Sequence, residues 1–147
     1  MADFDEIKVP GLSSSEVELL FQAAKAVVPN AYAPYSNYPV ASSLLCEPDR
    51  IHTGVNVENA SYPVCVCAER VAVGSAITAG HTKFRAILIL TMNEEPIPPC
   101  GACRQVLFEF KNDMPVILAN EKGTMRVLKL HELLPGGFTS KDIEDAQ

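Results

Sequence analysis

Positive charge is scarce in this chain: 12 Lys and Arg stand against 18 Asp and Glu, giving a net charge of −6 and a pI near 5.0. A protein that holds a phosphate backbone needs a cationic footprint, so this balance argues against a nucleic-acid partner. The expected substrate is small and not polyanionic. Long apolar runs are missing too. The longest aliphatic stretch, Ala86 to Leu90, falls far short of the roughly 20 residues that a membrane span needs. The acidic opening, Met1-Ala2-Asp3-Phe4-Asp5-Glu6, has no apolar stretch resembling a signal peptide. Five cysteines, an odd number, fit poorly with a secreted disulfide framework. Thiols kept reduced for a metal in the cytoplasm are the expectation instead.

What is present is enough for one core. The 147 residues are 48% hydrophobic and can bury roughly 70% of their unfolded-state surface. No repeat, low-complexity segment or linker divides them, so residues 1–147 are read as one domain, with 1–12 as an N-terminal arm. Ser13 and Glu16 have capping-box spacing, and Val17, Leu20, Phe21, Ala24, Val27 and Val28 follow at helical intervals. Pro29-Asn30 ends that helix, and an aromatic, proline-rich loop follows it. Strands are expected over 40–46 and 51–57 as an antiparallel hairpin, then a helix over about 67–79 stopped by Gly80. Residues 85–91 read as a buried strand because the run is continuously apolar. A helix from 101 to about 111, strands over 116–119 and 125–128, and a short helix around 131–134 complete the order. Alternating elements of this kind imply one sheet flanked by helices.

Chemistry concentrates in two stretches, Cys67-Ala68-Glu69-Arg70 and Pro99-Cys100-Gly101-Ala102-Cys103-Arg104-Gln105. Cys67, Cys100 and Cys103 offer three thiolates, one short of the four ligands that a closed structural zinc site takes. Three protein ligands and an open position describe a catalytic zinc site. Glu69, two residues from the first ligand, is placed to manage the protons of a water in that position. Cys67 and Cys100 both fall at expected helix starts, where the positive end of each helix offsets the negative charge of three thiolates. Arg70 is expected to donate hydrogen bonds to the same sulfurs, and Arg104 is either a second donor or a solvated ion-pair partner. The competing metal arrangement is a closed four-cysteine site that recruits Cys65. Cys46 reads as a buried apolar thiol. His52, His81 and His131 lack ligand-like spacing and read as surface or strand histidines.

These two stretches resemble the signature of the small, homotetrameric cytidine deaminases. Ala33-Pro34-Tyr35-Ser36, Gly54-Val55-Asn56-Val57-Glu58-Asn59-Ala60-Ser61-Tyr62-Pro63 and the tail Leu133-Leu134-Pro135 with Phe138 are similar to the same family's pattern, in its order. The resemblance implies a three-layer α-β-α sandwich around a five-stranded mixed sheet, with one Zn²⁺ per subunit. It implies hydrolysis of cytidine and 2′-deoxycytidine to uridine and 2′-deoxyuridine with release of ammonia, in pyrimidine salvage, by a zinc-bound hydroxide attacking C4. Glu69 would carry protons from the water to ring N3 and to the departing amine, and the Ala68 N–H would hold the pyrimidine O2. Asn56 and Glu58 match positions that bind the ribose 3′-hydroxyl, and a carboxylate there would repel a 5′-phosphate. Tyr38 stands where the family commonly has a phenylalanine packing on the base, and its hydroxyl needs a partner if buried. Tyr62 and Phe138 match aromatics that reach the active site across subunit contacts of a homotetramer.

Three other readings compete. A deaminase for a cytosine-nucleoside antibiotic of the blasticidin type shares the metal motifs, but the segment from Glu58 to Pro63 argues for plain ribose. Nucleic-acid editing enzymes of the same superfamily typically read His-Ala-Glu and carry a basic groove, whereas this chain has Cys67 and net negative charge. A zinc-stabilised binding module would hold metal without releasing ammonia.

Overall fold

In the computed structural model, which describes residues 4–145, Ser13 closes the N-terminal arm and caps α1 (Ser14–Val27). Its hydroxyl accepts from the Glu16 N–H, and the Glu16 carboxylate accepts from the Ser13 N–H. This is the reciprocal capping expected from the S-x-x-E spacing. The first three residues of the expected arm lie outside the described residues. The rest of the arm is not loose: Val9 is buried, and the Phe4 ring lies 5.7 Å from that of Phe21 on α1.

Five strands form one sheet: β1 (Val40–Cys46), β2 (Arg50–Val55), β3 (Phe84–Thr91), β4 (Pro115–Asn120) and β5 (Met125–Lys129). Their order is β2-β1-β3-β4-β5, with β3 and β4 parallel and the other pairs antiparallel. The parallel pair needs a crossover, and α3 (Gly101–Phe108) supplies it. Helix α2 (Ala68–Thr78) connects β2 to β3 and ends where Gly80 takes φ +85°, a conformation open to glycine.

The apolar run in β3 is continuous because both sheet faces are covered. Ala86, Leu88 and Leu90 pack towards α1 with Leu20 and Phe21. Ile87 and Ile89 pack towards α2 and α3 with Ala72, Ala76 and Leu107. The patterning implied one sheet flanked by helices, and the three-layer sandwich with a five-stranded mixed sheet is the fold that the family resemblance implied.

Three boundaries differ from the sequence reading. β2 stops at Val55 because the Asn56 side chain takes over the pairing: its Oδ1 accepts from Val40 N–H (2.9 Å) and its Nδ2 donates to Tyr38 O (2.8 Å). Helix α3 stops at Phe108, three residues early, as Phe110 N–H turns back to Leu107 O and tightens the last turn. Beyond α4 (Leu130–Leu133), the tail forms α5 (Ser140–Glu144), capped reciprocally by Thr139 and Asp142. Helices of four and five residues have too few turns to show a periodic pattern.

Candidate active site

Cys67 and Cys100 are the N-cap residues of α2 and α3, both in extended backbone conformation, and neither side chain caps its own helix. Their sulfurs are thus free to meet each other, 3.9 Å apart. Cys103 lies one turn into α3, on the same face as Cys100, and is buried. The three sulfurs all lie within 4.8 Å of one another. A tetrahedral zinc with bonds of about 2.3 Å needs sulfurs about 3.8 Å apart, so the donor type and the spacing both fit zinc.

The electrostatics favour anionic sulfur here. The Cys67 thiol is brought down to about 5, first by a hydrogen bond from Cys103, then by one from Cys100 and by the charge and hydrogen bonding of Arg70. Cys103 is pushed up, because it donates to the Cys67 sulfur and because it is buried beside Glu69 and Cys67. Negative charge is therefore favoured on Cys67 over Cys103. Binding a metal would release the Cys103 proton. The helix N-termini carry positive partial charge towards the same point.

Arg70 donates Nη2–H to the Cys65 carbonyl at 3.0 Å, and its buried Nε has no hydrogen-bond partner. Arg104 does not serve the sulfurs. It braces the loop into α3, donating from Nε to Pro99 O and from Nη1 to Leu133 O, each at 2.7 Å. Cys65 stands outside the sulfur cluster. It precedes α2, and its sulfur exchanges hydrogen bonds with the Asn59 backbone. The buried thiol of Cys46 is pushed up to about 11 by desolvation, as an apolar packing role requires. His52 on β2 and His81 after α2 pair with each other through Nε2 and Nδ1 at 2.7 Å, a contact that their spacing does not reveal.

Beside the sulfurs opens a cavity of about 480 Å³, within the size range of small-molecule sites. Glu69, only 5% exposed, lines it together with Ala68, Cys67 and Cys100. Burial pushes the Glu69 carboxyl up, and the charge on Cys67 pushes it further. A buried carboxyl with raised proton affinity suits acid-base work. Gly54 makes this placement possible. An added Cβ would lie 2.3 Å from Ala68 O and 2.4 Å from Ala72 N, so only glycine lets β2 touch the first turn of α2. A glycine inside a strand is the sequence signal for such an approach.

The opposite wall is the loop between α1 and β1. Glu58 holds it: Oε2 accepts from the N–H groups of Tyr35 (2.8 Å) and Ser36 (3.2 Å), and Oε1 accepts from the Ser36 hydroxyl. These bonds, the hydroxyl first, hold the Glu58 carboxyl below the usual range. Tyr38 lines the cavity, and its hydroxyl donates to Asn93 Oδ1. The extra hydroxyl thus has its partner. Asn56 and Glu58 also line the cavity. Tyr62 does not. It lies in an adjoining hollow with Tyr35, their rings 5.8 Å apart and near perpendicular. Phe138 is more than half exposed, away from the cavity, with its backbone tied to the Gln105 side chain. Within one chain, the structure brings Glu69, the three cysteines, Ala68, Tyr38, Asn56 and Glu58 together, and leaves Tyr62 and Phe138 outside.

A family model described as the cytidine and deoxycytidylate deaminase zinc-binding region matches residues 14–119. The chain is 42% identical over 132 residues to a protein named cytidine deaminase from Sporosarcina psychrophila, covering 89% of this chain and 97% of that one. It is 40% identical over 129 residues to one of the same name from Halalkalibacterium halodurans, covering 87% and 98%. The crystal structure of cytidine deaminase from Burkholderia pseudomallei superposes with a TM-score of 0.79 at 46% identity, covering 82% of this chain and 98% of that chain.

Proposed function

The chain belongs to the cytidine deaminase family of hydrolytic deaminases, and from that premise we propose that it converts cytidine and 2′-deoxycytidine to uridine and 2′-deoxyuridine, releasing ammonia in pyrimidine salvage. The observation that carries the reading is the burial of Glu69 against three converging cysteine sulfurs, at the closed end of a cavity whose other end is polar. Cys67, Cys100 and Cys103 would hold one zinc ion per subunit. Zinc in such a site supplies Lewis acidity, lowering the pKa of water towards about 7.

The chain's own residues do the rest. Glu69 accepts a proton from the attacking water and delivers it to N3, which makes C4 electrophilic. It then takes the proton of the hydroxyl newly bonded to C4 and passes it to the exocyclic nitrogen, so that the C4–N bond breaks with ammonia as a neutral leaving group and the C4 carbonyl forms. The Ala68 N–H, at the start of α2, holds the pyrimidine O2. Arg70 steadies the Cys67 sulfur.

Hydrogen-bond counting supports the sugar contacts. The Asn56 amide uses one donor and one acceptor on the backbone and keeps one of each. Glu58 accepts three bonds out of about four lone-pair sites, which leaves one for the ribose 3′-hydroxyl. Its charge disfavours a 5′-phosphate. Tyr38 packs on the base. Tyr62 and Phe138, both exposed in the single chain, would reach neighbouring sites in a homotetramer of one-domain subunits at work inside the cell. The test is loss of cytidine ultraviolet absorbance. Wild type should turn over cytidine, and Glu69→Gln should lose about 10²–10⁴ in kcat while keeping its zinc. A zinc-loaded wild type that releases no ammonia would make the chain a binding module.

A further inference from the structure

Five polar or charged residues are buried among the described residues: Ser42, Ser43, Glu69, Thr91 and Asn120. Three are satisfied inside the chain. Ser42 donates to Leu88 O (3.2 Å) and Ser43 to Leu20 O (2.7 Å). The Asn120 amide donates to Glu94 O (2.5 Å) and accepts from the N–H groups of Lys122 and Thr124. Glu69 belongs to the reaction. That leaves Thr91.

Its residue is 3% exposed, and its Oγ1 has no hydrogen-bond partner. A buried hydroxyl is rarely left unpaired, because it gives up water and gains nothing. Only one other buried side-chain atom among the described residues is in this state, Arg70 Nε, which belongs to a residue acting on Cys67. Thr91 is the last residue of β3, two beyond Ile89 and so on the same face, and both line the substrate cavity. Its strand neighbours make no bond to it: it pairs with Val40 on one side and with Asn120, whose amide is turned to Glu94, Lys122 and Thr124, on the other. The missing partner must come from the cavity.

We infer that Thr91 is a specificity-determining contact, whose hydroxyl bonds a polar edge of the pyrimidine, directly or through one ordered water. This rests on the nucleoside reading above. The base, not the sugar, is assigned because Thr91 is buried, as Glu69 and Ile89 are, whereas the sugar contacts Asn56 and Glu58 are only half-buried.

The test is Thr91→Val, which keeps the shape and removes the hydroxyl, with Thr91→Ser as the hydroxyl-bearing control. Removing an unpaired buried hydroxyl should leave Tm unchanged or raised, while kcat/KM for cytidine falls about ten-fold, the worth of one ordinary hydrogen bond. Thr91→Ser should recover to within about three-fold of wild type. The loss should be equal for cytidine and 2′-deoxycytidine, since it resides on the base. An active wild type with an equally active Thr91→Val overturns the inference and leaves the nucleoside reading standing. So does a Thr91→Val loss accompanied by a lowered Tm, which would mark a packing role, or a loss confined to one sugar. A wild type that neither turns over nor binds cytidine sinks the nucleoside reading, and this inference with it.

Discussion

The sulfur-lined end of the cavity takes its reactive groups from the first turns of two helices. The facing wall hangs on hydrogen bonds between residues far apart in the chain. At the first end, Cys67 and Glu69 lie two positions apart and Cys100 and Cys103 three, and buried strands fix both helices. At the second, Glu58 reaches back 22 residues to Ser36, and Tyr38 reaches forward 55 to Asn93. The first end is rigid by packing and sets the chemistry. The second is held by polar bonds near solvent and sets the fit. Substitutions should separate accordingly, with kcat answering to one end and KM to the other.

Among substitutions that touch no reacting group, the largest expected effect breaks the rigid end. In Gly54→Ala the new Cβ meets Ala68 O at 2.3 Å, which is backbone and cannot rotate away, so the start of α2 must lift from β2. A shift of about 1 Å at a catalytic group can cost on the order of a hundred-fold in rate. We therefore expect kcat to fall about that far, with zinc content reduced. A Gly54→Ala variant with normal kcat would show that the approach of β2 to α2 does not position Glu69.

A smaller effect belongs to the facing wall. Ser36→Ala removes the hydroxyl that holds Glu58 Oε1, so Ser36 acts through Glu58 as a positioning residue. Steady-state kinetics should show KM raised about three- to ten-fold with kcat within about two-fold, since the bond is exposed and its loss affects binding alone. Ser36→Thr should restore KM. A fall in kcat instead would mean that the two ends are not separable.

The smallest effect lies outside both ends and keeps scaffold titration from being mistaken for chemistry. Burial, and then the neighbouring His81, hold the His52 imidazole below its usual value. The unfolded chain therefore takes up its proton first, near pH 6.5. This contribution to stability is complete above that pH and is lost as pH falls from there through the lower folded value. The thermal midpoint should drop more between pH 7.5 and 5.5 in wild type than in His52→Gln. Equal slopes would remove the histidine pair from the account.

The same contrast governs how much could be read from the sequence. Sheet order aside, the strands and main helices followed from local patterning: the capping box at Ser13 and Glu16, the continuous run in β3, and glycine after α2. The three cysteines that the fold brings together were legible because ligands from one helix start must sit at fixed short spacings. The bonds made by Ser36 and Asn93 were not, because a hydrogen bond between distant loops leaves no periodic trace. Gly54 carried a signal, a glycine inside a strand, but its partner could be known only from the packing of α2. Thr91 looked like an ordinary strand threonine, and only its missing partner sets it apart.

The central claim is that three sulfurs converge on a zinc ion whose remaining position stays open beside Glu69. X-ray absorption at the zinc edge of the purified, zinc-loaded protein tests it directly. Three sulfur scatterers near about 2.3 Å and one oxygen or nitrogen near about 2.0 Å are expected. Four sulfur scatterers would mean that Cys65 or another thiol closes the site, and the account of a hydrolytic centre would be wrong.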